Sequence, residues 1–234
     1  MSGSIENWDD IAEWWRGEVA DDPVYLEDIA PMLRHLVGSP PDRVLELGCG
    51  DGQWLRWLGH TSRAAFGCDR SSDLLSGAVD NYPVAVCDLP SLAWLREGSI
   101  DTAFSVFVLD LIEDIAAFFA ETERIVAPGG ALVVIINHPI FTAPGSGPFM
   151  DPDLDVFWRW GDYLEPGASD VPAGDHTVTM YHRSIAHILA TAARAGWRLE
   201  DAIEAPLGAA AIEREPSYRG QEGIPRFLGF RWRH

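Results

Sequence analysis

The sequence predicts an α/β fold in which a mostly parallel sheet lies between layers of helices. Three observations carry that prediction. From residue 40 onward, short apolar runs alternate with amphipathic stretches, the pattern of buried strands joined by crossover helices. One of those runs, ending at Leu47, leads directly into Gly48, Gly50 and Gly52, a strand–turn–helix entry of the kind used by nucleotide sites. The length, 234 residues of which 47% are hydrophobic, suits one elaborated α/β domain with a sizeable core.

The elements follow in order. Residues 8–19 and 24–36 read as two helices that precede the first strand and cover one end of the sheet. Residues 43–47, 64–68, 83–87, 102–108 and 131–136 read as five buried strands, with helices at 53–58, 72–80, 92–96 and 112–126 between them. In the last helix Ile112, Ile115, Phe119, Thr122 and Val126 keep a helical spacing, and Pro128-Gly129-Gly130 stops it. Residues 139–181 are rich in Pro, Gly, Asp and aromatics and hold no sustained period. So long an irregular stretch is usually functional or disordered; Phe141, Phe149, Phe157, Trp158, Trp160 and Tyr163 give it rings to pack with, which favours a lid. Ile185, Ile188, Leu189 and Ala192 mark a further helix, and 197–204 and 226–232 read as two closing strands. The predicted organisation is a single domain: a helical cap at 1–39, a core at 40–138, a lid and acceptor-binding insertion at 139–183, and a closing helix and strands at 184–234.

Composition narrows the function classes. Seventeen basic residues against thirty-six acidic ones give a formal charge of −19. Such a surface repels phosphate backbones and anionic headgroups, so neither nucleic acid nor membrane is expected as a partner. All the basic residues are Arg, which removes lysine Schiff-base and lysine general-base chemistry. Cys49, Cys68 and Cys87 form no close-spaced pair. An odd, widely spaced set fits neither a zinc site nor a disulfide framework and predicts reduced thiols in a cytoplasmic protein. Residues 1–10 are polar and acidic, so no signal peptide is expected, and no apolar run reaches spanning length. A monomer or a homodimer is expected.

The glycine turn separates two ligands. A dinucleotide fingerprint needs G-x-G-x-x-G to cradle a pyrophosphate. Here Glu46-Leu47-Gly48-Cys49-Gly50-Asp51-Gly52 is one residue shorter between its last glycines and adds a carboxylate before the turn. That charge repels a pyrophosphate but suits a ligand carrying an ammonium and a sulfonium. The segment resembles the first motif of the class I S-adenosylmethionine (SAM)-dependent methyltransferases, an apolar strand followed by D/E-x-G-x-G-x-G, and matches it at every position. Phe66-Gly67-Cys68-Asp69 is similar to the family's second strand, whose terminal acid binds both ribose hydroxyls. Val86-Cys87-Asp88-Leu89 is similar to the end of the third, which meets the adenine. The resemblance is strong over residues 40–138 and weaker beyond. It implies a Rossmann-like three-layer sandwich with a seven-stranded sheet in the order 3-2-1-4-5-7-6, strand 7 antiparallel. It also implies SAM as cofactor and S-adenosylhomocysteine (SAH) as product. The cofactor residues expected are Glu46, Gly48, Cys49, Gly50, Gly52, Asp69, Arg70, Asp88 and Leu89, with Phe107 at the end of the fourth strand. Trp15 takes the place of an aromatic that approaches the methionyl part in the ubiquinone/menaquinone-biosynthesis-like enzymes. The lesser alternatives are that the glycines serve only a tight turn and that Asp69 and Asp88 are helix caps.

Methyl transfer from a sulfonium is an in-line displacement that needs alignment and exclusion of water. An acceptor that must lose a proton also needs a base, for which histidine is suited. His138, directly after the fifth strand, leads the candidates, followed by His182 and His176, with Asp110 as a further one. Each could instead make only structural hydrogen bonds. The expected acceptor is a small, flat, partly apolar molecule methylated on O, N or an activated carbon. The rival readings are a SAM-binding module without transferase activity and a nicotinamide-dependent oxidoreductase.

Overall fold

The computed structural model describes residues 8–39, 41–59, 62–153 and 155–234; the acidic segment read as lacking a signal peptide falls largely outside them, at residues 1–7. Seven strands form the central sheet: β1 (Arg43–Leu47), β2 (Ala64–Asp69), β3 (Val84–Val86), β4 (Ile100–Val106), β5 (Val126–Asn137), β10 (Arg198–Ala205) and β11 (Phe227–Arg233). Their order is β3-β2-β1-β4-β5-β11-β10. The first four neighbour pairs are parallel, and β11 runs antiparallel to both β5 and β10. This is the predicted order, with the final hairpin strand inserted between β5 and β10.

Alternation along the strands divides the core. Leu45 and Leu47 of β1 face one layer, formed by α5 (Ile115–Ile125) and α7 (Ile185–Arg194) with Phe118, Phe119, Trp197 and Trp232. Val44 and Phe104 face the other, formed by α2 (Ala30–Val37) and α3 (Gln53–Gly59) with Ile29, Leu33, Leu36 and Leu55. Both layers are needed because a parallel sheet must bury two faces, and each fully buried large side chain contributes about 1.5–3 kcal/mol.

Several elements depart from the sequence prediction. Residues 92–96 form turns rather than a helix, tied down by Arg124, whose guanidinium donates to the carbonyls of Leu92 and Leu95. The helix predicted at 72–80 is regular only over α4 (Ser72–Leu75) before passing into turns. A short 3-10 turn, Leu109–Leu111, precedes the predicted helix, whose first residues 112–114 are irregular; α5 begins at Ile115, and Asp114 caps it through the Ala117 amide at 2.9 Å. The N-terminal segment holds α1 (Ala12–Val19) and a π-helical stretch, Val24–Ile29, that continues into α2.

The insertion is not irregular. After a single turn, α6 (Pro139–Thr142), it holds two antiparallel hairpins: β6 (Gly147–Met150) with β7 (Val156–Arg159), and β8 (Gly167–Ala173) with β9 (His176–His182). Their β-period was hidden because the strands are only partly buried, β9 on both faces, and Pro and Gly interrupt both hairpins. No helix among the described residues is long and apolar enough to cross a membrane.

Candidate functional site

The carboxyl ends of β1, β2, β4 and β5, with the start of the antiparallel β11, open into a cavity of about 600 Å³. Ligands of open α/β sheets bind at this edge, where the strand order reverses between β1 and β4. Its roof comes from two segments distant in sequence. Trp8, Trp14 and Trp15 of the N-terminal region and Val171, Pro172, Ala173, Val178 and Met180 of the β8–β9 hairpin all line it. They meet where Gly174 in the hairpin turn packs on the Trp14 ring, so closely that a Cβ there would lie 3.1 Å from it. Asp9 latches the N-terminal segment to the sheet side. Its carboxylate accepts from the Ser71 hydroxyl, the Ser72 hydroxyl and the Asp73 amide at 2.5, 3.1 and 3.0 Å.

The three motif glycines do different work. Gly48 (φ +72°) must stay bare because a Cβ would sit 2.4 Å from Val108 Cγ2. Gly52 (φ +80°) is bare because a Cβ would lie 2.8 Å from the Ala78 Cβ; it sets the packing of α3 and does not line the cavity. Gly50 is the one that faces open space: at φ +50° it has only Leu74 Cδ1, 4.0 Å from a Cβ position, and it lines the cavity. The turn is held by its amides. Gly48 and Cys49 donate to the Cys68 carbonyl at 2.8 and 3.0 Å, and Gly50 donates to Asp69 Oδ2 at 2.8 Å. Asp69 Oδ1 accepts from the Ser71 amide at 2.9 Å. Burial raises the Asp69 carboxyl despite these donors. The same side chain that was expected at the ribose therefore also clamps the glycine turn.

Glu46 is buried, with one carboxylate oxygen, Oε2, lacking a partner among the described residues. Burial pushes its carboxyl well above the ordinary range, the Leu55 amide working against that rise. A buried carboxylate facing a cavity without a partner is costly unless a ligand completes it. Glu46 lines the cavity at the glycine turn, and its charge, once ionised, suits a cationic ligand laid over the open Gly50. Toward β3, Arg70 and Asp88 line the cavity as an ion pair with Nε 3.7 Å from Oδ1, beside Leu89. Phe107 takes a left-handed backbone (φ +60°) after β4, a conformation costing about 1–3 kcal/mol and concentrated at functional sites. Its amide donates to Ile135 O at 2.8 Å, and its ring meets Tyr25 and Phe227 at 6.2 and 5.8 Å. Of the cofactor residues expected from the sequence, Trp15, Glu46, Gly48, Cys49, Gly50, Asp69, Arg70, Asp88, Leu89 and Phe107 all line this one cavity.

The histidine candidates are placed elsewhere. His138 is buried and caps α6: its Nδ1 accepts from the Ile140 amide at 3.2 Å, which leaves Nε2–H to donate to Glu204 at 2.8 Å. His182 is also buried, accepting from the Thr142 hydroxyl at Nδ1 and donating from Nε2 to the Tyr163 carbonyl. Burial lowers its pKa. His176 opens β9 opposite Ala173. None of the three lines the cavity. Asp110 is buried behind Asn137, which donates to it from backbone and side chain; burial lifts its pKa to about 7. Asn137 itself reaches the cavity, as do Tyr25, Tyr218 and Arg226. Sequence reasoning passed over these four because they lie in segments without a motif.

Fold and cavity together resemble those of the class I, Rossmann-like SAM-dependent methyltransferases, and comparison with known proteins points the same way. Residues 45–134 match the family described as "Methyltransferase domain", and the proteins this chain is similar to are SAM-dependent methyltransferases. A SAM-dependent methyltransferase from Mesorhizobium loti superposes with a TM-score of 0.76 at 27% identity, covering 87% of this chain and 96% of that one. The malonyl-[acyl-carrier protein] O-methyltransferase of Hahella chejuensis is 34% identical over 107 residues, covering 41% of this chain and 36% of its own length. The demethylmenaquinone methyltransferase of Tropheryma whipplei is 31% identical over 113 residues, covering 44% and 46%. The aligned stretches thus span less than half the length of these two curated relatives.

Proposed function

We propose that this protein transfers a methyl group from SAM to a small organic acceptor that enters between the aromatic roof and the sheet edge at β4, β5 and β11. The observation that carries this reading is the glycine turn left open at Gly50, with Glu46, Asp69 and Asp88 lining the same cavity, a negatively charged site that suits a cation better than a pyrophosphate. SAM supplies an electrophilic methyl group on a positively charged sulfur. Asp69, Asp88 and the glycine turn would hold its nucleoside end, and Glu46 supplies negative charge beneath its amino-acid end. The roof of Trp14, Trp15 and the β8–β9 hairpin keeps water from the displacement.

Among the described lining residues there is no histidine. An acceptor atom with a lone pair already available, such as an amine nitrogen or a carboxylate oxygen, is therefore favoured over one that must first be deprotonated. The acid-rich surface supports a small molecule over nucleic acid, and three free buried cysteines fit a reducing, cytoplasmic setting. The test is calorimetric titration with SAH, followed by methyl-labelled SAM with a panel of amines and organic acids. Micromolar SAH binding with label transferred to one class is the expected result. No SAH binding would overturn the reading, and binding without transfer to any acceptor would make the protein a SAM-binding module.

A further inference from the structure

The cavity has a second end. Its cofactor half lies over β1, β2 and β3; its other half lies over β5 and β11, which is three inter-strand spacings from β1, or roughly 14 Å. Arg226 stands there, at the entrance to β11. Its backbone is fixed by its amide donating to Ala205 O at 2.7 Å and its carbonyl accepting from the His138 amide at 2.8 Å. Its side chain lines the cavity. The two other lining arginines have carboxylate partners: Arg70 with Asp88, and Arg214 with Asp22 at 3.2 Å. The Arg226 guanidinium has none within 4.0 Å among the described residues, in a chain of net charge −19. It lies between ring faces, 4.3 Å from the centre of Phe141 and 5.7 Å from that of Tyr218.

Burial lowers the affinity of this guanidinium for its proton, yet an arginine stays charged in proteins. Two ring faces give partial compensation only. A desolvated cation with five donors and no acceptor is a half-built anion site.

Resting on the methyltransferase reading above, we infer that Arg226 anchors the acceptor through a carboxylate, so that the substrates are small organic acids whose apolar body lies against Phe107, Tyr218 and Phe227. A monoanion is preferred to a phosphate ester. A single planar fork matches one carboxylate, whereas a phosphate brings closer to two charges into a cavity also lined by Glu18, Asp22 and Glu215. Arg226 acts here in binding, holding the acid so that its reactive atom points back across Phe107 toward the cofactor half.

The experiment uses the full chain loaded with SAH and three matched pairs of probes: benzoate, 3-phenylpropanoate and hexanoate, each with its primary amide. Phenyl phosphate is a seventh probe, and binding is read by calorimetry or ligand-observed NMR. At least one acid is expected to bind ten-fold or more tightly than its amide. R226Q is expected to abolish that preference while SAH affinity stays within two-fold, and R226K is expected to keep part of it. Amides binding as well as acids, no acid binding at all, phenyl phosphate binding more tightly than every acid, or a preference that survives in R226Q would each overturn the inference. Should R226Q fail to fold, R226K decides the matter: a reduced preference supports the anchor, and an undiminished one overturns it. Loss of SAH binding by the unaltered protein is a separate outcome, which removes the methyltransferase reading itself.

Discussion

Glu46 sits near the end of a strand whose residues on either side, Leu45 and Leu47, are fully buried. Its burial holds the free carboxyl protonated above the ordinary range, and a bound cation would pull it toward ionisation. SAH binding should therefore release protons, and affinity should rise with pH through the raised value. Calorimetry in buffers of different ionisation enthalpy checks this. E46Q should lose the proton release and weaken binding by about 1.5–3 kcal/mol, the worth of a charge-assisted hydrogen bond; an unchanged proton count in E46Q would assign the linkage to another group. His138 behaves oppositely. Both its nitrogens are spent on the α6 cap and on Glu204, so H138A should lower stability by about 1–2 kcal/mol and leave SAH affinity unchanged. A turnover defect without a stability defect would return it to the chemistry.

The elements that close the cavity lie outside the central sheet. α1 is short and lacks a side-chain cap, yet its Trp14 ring supports the turn of a hairpin far along the chain, at Gly174. The β8–β9 hairpin pairs with no strand of the central sheet, so side-chain packing, this contact and those of His182 with Thr142 and Tyr163 included, keeps it over the site in place of a ladder. W14A should increase protease cleavage within residues 167–182 and weaken SAH binding about ten-fold, roughly 1.4 kcal/mol. Equal cleavage rates in the two proteins would show that the hairpin holds itself in place. The β6–β7 hairpin is different in kind: Phe149 and Phe157 stack at 5.5 Å and both are exposed, and neither lines the cavity.

For the molecule as a whole, the acids fall into two groups with opposite pH behaviour. Asp101, Glu121 and Glu200 are held below the ordinary carboxylate range by hydrogen bonds from Arg43, Arg124 and the Arg233–Arg231 pair respectively. Their contribution is present near neutrality and is lost as pH falls below about 4. Asp110 is raised by burial from 3.8 to about 7, so the folded state holds its proton more tightly than the unfolded chain. Its contribution is full below 3.8 and is lost as pH rises to about 7, a penalty on the order of 4 kcal/mol on the ionised form. Self-repulsion at a net charge of −19 acts in the same direction. The cofactor-free protein should therefore unfold at a lower urea concentration at pH 8 than at pH 5.5, and D110N should flatten that slope. A midpoint that rises toward pH 8 would contradict the burial argument.

What was legible in the sequence depended on locality. The central strands could be read because hydrophobic runs of about 4–8 residues between turn signals have few other uses. The cofactor half of the cavity could be read because the chemistry of one ligand is concentrated in Glu46 to Gly52, Asp69 and Asp88, each within a few residues of a strand end. The hairpins of the insertion were not legible, since half-exposed strands in Pro- and Gly-rich sequence carry no clean period. Nor were the roles of the histidines: whether a ring nitrogen meets a substrate or a cap is decided by partners such as Glu204, which lies 66 residues from His138. By itself the sequence determined the α/β class, the strand order through its family resemblance, and the cofactor. Only the tertiary structure decided which polar groups were left without partners, at Glu46 and Arg226, because satisfaction of a buried charge is a property of everything packed around it and not of its neighbours in the chain.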